Sequence, residues 1–307
     1  MSEIIESEED SVSSTSVDVD YLDHSVVVTV TDLNGLYDTY EALGFTLTPR
    51  STHTGTAQPD GERQSLGTAN RCAVFGENYI ELLGHLDSSL PDPWGVRRLA
   101  AAYEGLRGYV FGCGDADHVD RRLAEQRVST TGVLMLQRDI PTPDGVGTLR
   151  ARVIQVDPPL APEGGVRIAE VQGLDLIHQP RFLDHPNGAV GLSRVTLVVA
   201  DEETDRYVER YRKVLGIPAR QIGPRHVFAL RVGGLEIVPL SALDEILPGE
   251  KAPTLPYVAA QTVAVNDLGR AKSVIEGNGF AIRPLPGGFF VSADDTRGAN
   301  LVFEARA

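Results

Sequence analysis

Cysteine is nearly absent: the 307 residues contain two, Cys72 and Cys113, with no CxxC spacing. That excludes a disulfide framework and fits a reducing compartment. Long apolar runs are missing too. No stretch approaches the roughly 20 residues of a membrane span, and the N-terminus lacks the basic-then-apolar order of a signal peptide. The expectation is a soluble, cytoplasmic protein with no membrane partner. Basic residues are scarce, 28 Lys and Arg against 43 Asp and Glu, for a net charge of −15. A phosphate backbone needs a basic patch, so nucleic acid is not an expected partner. No GxxxxGK[ST], GxGxxG in a strand-to-helix context, or GxSxG element occurs, which removes the commonest phosphate cradles and the serine-hydrolase elbow.

The acidic, Ser-rich opening "MSEIIESEEDSVSSTSVDVD" cannot bury enough apolar surface to offset its ordering entropy, so residues 1–18 are expected to be a disordered tail. The rest of the chain, 42% hydrophobic overall, can build normal cores. One pattern recurs in it: apolar strand, Asp, amphipathic helix, turn, then β-rich sequence. The Asp positions are Asp32, Asp115, Asp201 and Asp267. Each precedes a helical spacing of apolar residues, such as Leu33, Leu36, Tyr37 and Tyr40 after Asp32, and each is placed to cap its helix. The returns "RCAVFGENYIELLG", "ARVIQV…LDLIHQ", "HVFALRVGGLEIVPL" and "GGFFVSADDTRGANLVFEA" complete four β-α-β-β-β units.

This repeat, with "LDHSVVVTVTDL" opening the first unit and "NYIELLG" closing it, resembles the vicinal oxygen chelate (VOC) superfamily; "GTANRCAVFGENYIELLG" and "DHPNGA" resemble its glyoxalase-like members. The resemblance covers roughly residues 20–305. It implies an α+β fold in which units pair into half-barrels, here a half at 19–184 and a half at 188–305, with one divalent metal held by first and last strands.

Period-two alternation places His24 on one face with Val26, Val28 and Val30, Glu81 with Tyr79 and Leu83, and His178 with Leu174 and Leu176 on a presumed last strand. An ionised Glu81 among apolar neighbours needs a partner, since leaving water costs several kcal/mol. The resemblance implies that His24, Glu81 and His178 are metal ligands, a donor set suited to Fe, Mn, Zn, Ni or Co. The family's fourth ligand position falls on Arg107, eight residues before Asp115 as His24 is before Asp32. Arginine does not ligate metals; it binds substrate anions or faces solvent. Arg71 is a second candidate for a bound anion, or a surface residue. The matching positions of the third and fourth units are Ser193 and Ala259, so the second half is expected to be structural although Glu236 and Glu304 remain. His185 and Asn187 read as a connector between halves. His53 lies in a polar loop placed to act as a lid.

The resulting functional expectation is a redox-neutral, metal-dependent isomerase, epimerase or lyase. It would act on a small substrate with neighbouring oxygens, Glu81 doubling as base. The alternatives are an Fe(II) ring-cleaving dioxygenase, which a three-ligand set favours, and a non-catalytic binding protein. A monomer or weak homo-oligomer is expected.

Overall fold

The computed structural model describes residues 17–55 and 64–306. The first half contains β1 (Val19–Thr29), α1 (Leu33–Ala42), β2 (Ser51–Gly55), β3 (Gln64–Val74), β4 (Tyr79–His85), α2 (Val96–Ala100), β5 (Gly105–Cys113), α3 (Ala116–Glu125), β6 (Thr130–Thr142), β7 (Gly145–Val156) and β8 (Gly165–Gln172). The second contains β9 (Ala189–Val199), α4 (Thr204–Leu215), β10 (Arg220–Ile222), β11 (Arg225–Ala229), β12 (Gly234–Pro239), α5 (Leu243–Ile246), β13 (Tyr257–Val265), α6 (Leu268–Gly277), β14 (Arg283–Leu285), β15 (Gly288–Val291) and β16 (Asn300–Ala305). No helix among the described residues is long and apolar enough to cross a membrane.

The strands form two eight-stranded sheets of matching order, β2-β3-β4-β1-β5-β8-β7-β6 and β10-β11-β12-β9-β13-β16-β15-β14. In each unit the first strand runs parallel to the last (β1 with β4, β5 with β8, β9 with β12, β13 with β16), and paired units meet along an antiparallel seam, β1 with β5 and β9 with β13. Four β-α-β-β-β units in two half-barrels are the α+β fold that the repeat predicted. Asp32, Asp115 and Asp267 cap their helices by accepting backbone N–H bonds from Gly35, His118, and Gly269 with Arg270. Asp201 departs from the expectation. A 3-10 turn at Asp201–Glu203 intervenes before α4, and its carboxylate accepts instead from the Ser241 N–H.

Two further corrections concern boundaries. The stretch "GLDLIHQ" is not a strand. Gly173 turns into the left-handed region at φ 84°, Leu174–Leu176 form a 3-10 turn, and β8 is the true last strand of the second unit. The expected tail lies outside the described residues as far as residue 16. Residues 17 and 18 belong to the fold: the Val17 carbonyl accepts from the Asp115 N–H, and Asp18 pairs with Arg122 at 2.8 Å.

The convex sides of both sheets share one continuous core with α1, α3, α4 and α6, including Leu36, Tyr40, Phe111, Leu123, Val195, Tyr211, Ile275 and Phe303. The two concave sides differ. The second is filled by Leu243, Ile246 and Leu247 packing with Tyr257, Ala259 and Phe290. The first carries smaller apolar clusters around Val26 and Leu83, around Cys72 and Tyr79, and around Val110 and Ala169. Polar side chains stand among these clusters.

Candidate functional site

Register brings those polar residues together. On a pleated sheet, laterally paired residues share a face. One row runs Tyr79, His24, Val110, Arg167 and Gln155; a neighbouring row runs Cys72, Glu81, Val26, Gly108 and Gly165. His24 and Glu81 therefore stand side by side on the concave face, with Arg167 two strands away.

His24 is fixed from below. Its Nδ1–H donates to Asp23 Oδ2 at 2.6 Å, and Asp23 is buried. A carboxylate only accepts, so the proton sits on Nδ1 and the Nε2 lone pair is free. Tyr79 stacks on the ring at 4.3 Å between centroids and holds its plane. Nε2 then faces Glu81 Oε2 at 3.8 Å, with the two side chains 12% and 15% exposed. That separation is too long for a hydrogen bond, so two acceptors look at one another across a gap.

The other Glu81 oxygen accepts from Asn70 Nδ2 at 2.5 Å. Burial pushes the Glu81 carboxyl up, but His24, His53, the Asn70 bond and Arg138 outweigh it and hold it below the usual carboxylate range. His53 Nδ1 and Thr68 Oγ1 are 2.9 Å apart, and burial holds that imidazole below its usual range against the pull of Glu81. The expected lid that contains His53 lies partly outside the described residues. Arg138 sits on the edge strand β6, yet its charge acts on both Glu81 and His53 of β2 at the opposite edge. The sheet must therefore curl until its edges approach, which makes the cup. Burial pushes the thiol of Cys72, on the same face, up to about 12, so it is no thiolate nucleophile at neutral pH.

Three expected site residues are not brought to this centre. His178, carried on the 3-10 segment, donates from Nδ1 to the Phe75 carbonyl at 2.7 Å and meets Tyr79 edge-on at 6.3 Å. Among the described residues no three His, Cys, Asp or Glu side chains are disposed around a common ion. The triad of His24, Glu81 and His178 does not form, because the strand expected to carry His178 ends at Gln172. Arg71 pairs laterally with Leu82, on the opposite face from Glu81, where it binds Glu41 at 2.6 Å and the Thr48 carbonyl at 2.8 Å. Arg107 is buried beneath α2, donating to the Leu99 carbonyl at 3.0 Å with its guanidinium 4.2 Å from the Tyr103 ring centre.

Sequence reasoning missed Asn70, Arg138, Arg167 and Trp94. Asn70 lies two residues from Cys72 on β3, so alternation alone signals its face; the other three depend on curling and loop placement. In the second half, Glu236 accepts from Thr196 at 2.7 Å and lies 3.6 Å from Arg194 and 3.4 Å from Arg225, and Glu304 pairs with Arg194 at 2.7 Å. Guanidinium groups there answer the carboxylates.

Divalent metals are typical of the superfamily, and the residues fit one in part. Two unprotonated donors facing one another, one oriented by a carboxylate behind it, are suited to adjacent ligands of an ion. They leave most of its shell to substrate and water.

The fold has known parallels. A hypothetical protein from Staphylococcus aureus matches with a TM-score of 0.55 at 12% identity over 93% of this chain and 99% of its own. A variant of 4-hydroxymandelate synthase from Streptomyces coelicolor matches at 0.54 and 12% identity, over 94% of both chains. A fusion of a xylose isomerase-like TIM barrel with 4-hydroxyphenylpyruvate dioxygenase matches at 0.53 and 14% identity, over 88% of this chain and 40% of its own. At such identities these likenesses establish the fold alone. No curated protein matches the sequence. The glyoxalase-like domain profile matches residues 22–215, which contain the first sheet except Val19–Tyr21, with its His24–Glu81 centre, and reach through α4 of the second half. The chain belongs to the glyoxalase-like domain family of the vicinal oxygen chelate fold.

Proposed function

We infer that the concave face of the first half is the active site of a redox-neutral glyoxalase-like enzyme, an isomerase, epimerase or lyase. It moves a proton on a small substrate bearing two neighbouring oxygens. The observation that carries this reading is the His24 Nε2 lone pair aimed at an ionised Glu81 across 3.8 Å on a sheltered sheet face. His24 and Glu81 would hold a divalent ion, which would supply Lewis-acid polarisation of the substrate oxygens.

The remaining chemistry belongs to the chain's own groups. Glu81 Oε2 has no hydrogen-bond donor in the described structure, whereas Oε1 is held by Asn70. Oε2, the oxygen that would bind the ion, is the one that would take a proton from the substrate carbon and return it after detaching from that ion. Asp23 keeps the His24 tautomer, and Tyr79, Val26 and Leu83 shelter the face from water. The redox-neutral reading stands first because a carboxylate oxygen without a donor, facing an imidazole, suits proton transfer; an Fe(II) ring-cleaving dioxygenase is the second reading.

Incubating protein supplemented with each of Mn, Fe, Co, Ni and Zn with small hydroxycarbonyls in deuterium oxide tests it. Deuterium should enter the carbon beside the carbonyl, and the E81Q variant should lose this by at least about a hundredfold, the typical worth of a positioned acid–base group. Oxygen uptake on catechols, or no exchange with any compound, would overturn the reading.

A further inference from the structure

Arg167 presents a problem that the proton-transfer centre does not solve. It is only 7% exposed and cannot shed its charge at neutral pH, yet no carboxylate among the described residues lies within ion-pair distance of it. Its bonds go to neutral groups, the Trp94 carbonyl at 3.1 Å and Gln155 Oε1 at 3.4 Å. Glu81 and Asp92 act on it only from beyond ion-pair distance, and burial outweighs them; a buried charge without a contacting counter-charge costs several kcal/mol. Acidic residues are abundant in this chain, and other sheltered arginines have them: Arg122 has Asp18, Arg210 has Glu163, and Arg194 has Glu304 and Glu236. Arg107, the other buried exception, is turned to Leu99 and the Tyr103 ring.

Two independent features surround Arg167. The indole Nε1–H of Trp94 is buried without an acceptor, and the Arg167 guanidinium lies 5.6 Å from the centre of that ring. Between Glu81 and Arg167 the floor carries one side chain, Val26, followed by the side-chain-free Gly108 and Gly165, over which the Arg167 guanidinium lies. A Cβ on Gly165 would sit 3.4 Å from the Arg167 guanidinium. His24 and Arg167 are two strands apart, about 10 Å at the backbone, a span suited to an acid of a few carbons.

We propose that Arg167 and Trp94 form a carboxylate receptor. The substrate is then a small hydroxy or oxo acid, its carboxylate on Arg167 and its neighbouring oxygen toward His24 and Glu81. A planar carboxylate gives the guanidinium fork two acceptors and the indole N–H a third contact. The proposal rests on the reading of Glu81 as the reactive centre, and it names the class of molecule that centre receives.

Trp94 is the one tryptophan of the chain, so its fluorescence reports the receptor directly. Full-length protein is titrated with lactate, with the neutral counterpart 1,2-propanediol, and with chloride. Lactate should change the emission saturably while propanediol and chloride do not. Arg167→Met should weaken lactate binding by at least about tenfold, the loss expected with one charge-assisted contact. Its thermal unfolding should not move downward, since an uncompensated buried charge has been removed. Glu81→Gln should still bind lactate. Loss of exchange with binding retained in E81Q thus separates the two readings, and receptor binding stands even if no exchange is ever seen. Wild-type lactate affinity in R167M, or equal binding of propanediol or chloride, overturns the receptor. Should R167M fail to fold, Arg167→Lys decides: it keeps the charge and loses the fork, so weakened lactate binding upholds the proposal and unchanged binding overturns it.

Discussion

Glu81 shows how a single charge is managed on an apolar strand. Burial raises its pKa, but Asn70 donates to one oxygen, His24 faces the other at 3.8 Å, and His53 and Arg138 act on it from farther off, holding it below the usual carboxylate range. Replacing Asp23 with Asn should release the His24 tautomer without touching Glu81. Turnover should fall by about ten- to a hundredfold, the usual cost of losing an orienting partner, while lactate binding at Arg167 is kept; an unchanged rate would show that Asp23 does not orient the ring.

His185, expected as a mere connector, is 1% exposed and uses both ring nitrogens, accepting from the Thr46 N–H at 3.0 Å and donating to the Val74 carbonyl at 2.9 Å. It is locked neutral, and burial holds it below the ordinary imidazole range despite the Val74 bond and Asp184. As pH falls through about 6.5 the unfolded chain takes up this proton first, so stability declines by up to about 1.4 kcal/mol per pH unit from this group. Urea denaturation at stepped pH should show that decline, and the His185→Gln variant should show a shallower one.

At the scale of elements, the cup owes its open floor to glycines in β5 and β8. Gly165→Ala places a methyl against the Arg167 guanidinium at ordinary contact distance. The unfolding free energy should change by less than about 1 kcal/mol, as at a site where the added group meets no hard clash. The KM for an acid substrate should rise. A raised KM with unchanged stability locates the effect in the cup; a large stability loss would mean that the floor is packed against something else. The same scale explains why α2 and its flanking loop matter. They carry Trp94, Val96 and Leu99, which cover Val26, Val28 and Leu83 and seat Arg107 beneath them.

Across the whole molecule, the halves are joined by buried polar groups rather than by a linker alone. Asn78, 1% exposed in the first half, donates to the Leu192 carbonyl and accepts from the Leu192 N–H of the second, both at 2.8 Å. Ser25 donates to Gln261 at 2.6 Å, Gln261 donates to Tyr40 at 2.7 Å, and Tyr109, Tyr211, Glu163 and Arg210 form a further cross-half network. Asn78→Ala strands both Leu192 backbone groups and should cost about 2–4 kcal/mol by chemical denaturation. A loss under about 1 kcal/mol would show that water replaces both bonds at this interface.

The linear sequence was sufficient for the four-fold repeat, the helix-capping aspartates at three of four junctions, and the inward faces of α1, α3 and α4, because these depend on period and on neighbours a few residues away. Alternation set His24 and Glu81 each among the apolar residues of its own strand, a local property, while their meeting was implied only by the family resemblance and depends on the pairing of β1 with β4. It misplaced His178 because apolar spacing cannot tell a strand from the 3-10 turn that Gly173 initiates. It put Arg71 near the site because proximity in sequence hides which face a residue takes. Tertiary structure alone decided that Arg138 on one edge strand acts on His53 on the other, and that Arg167 lies across Val26 and the glycines Gly108 and Gly165 from Glu81. Those placements follow from the curl of an eight-stranded sheet, a sum over many twists and bulges that no window of the sequence contains.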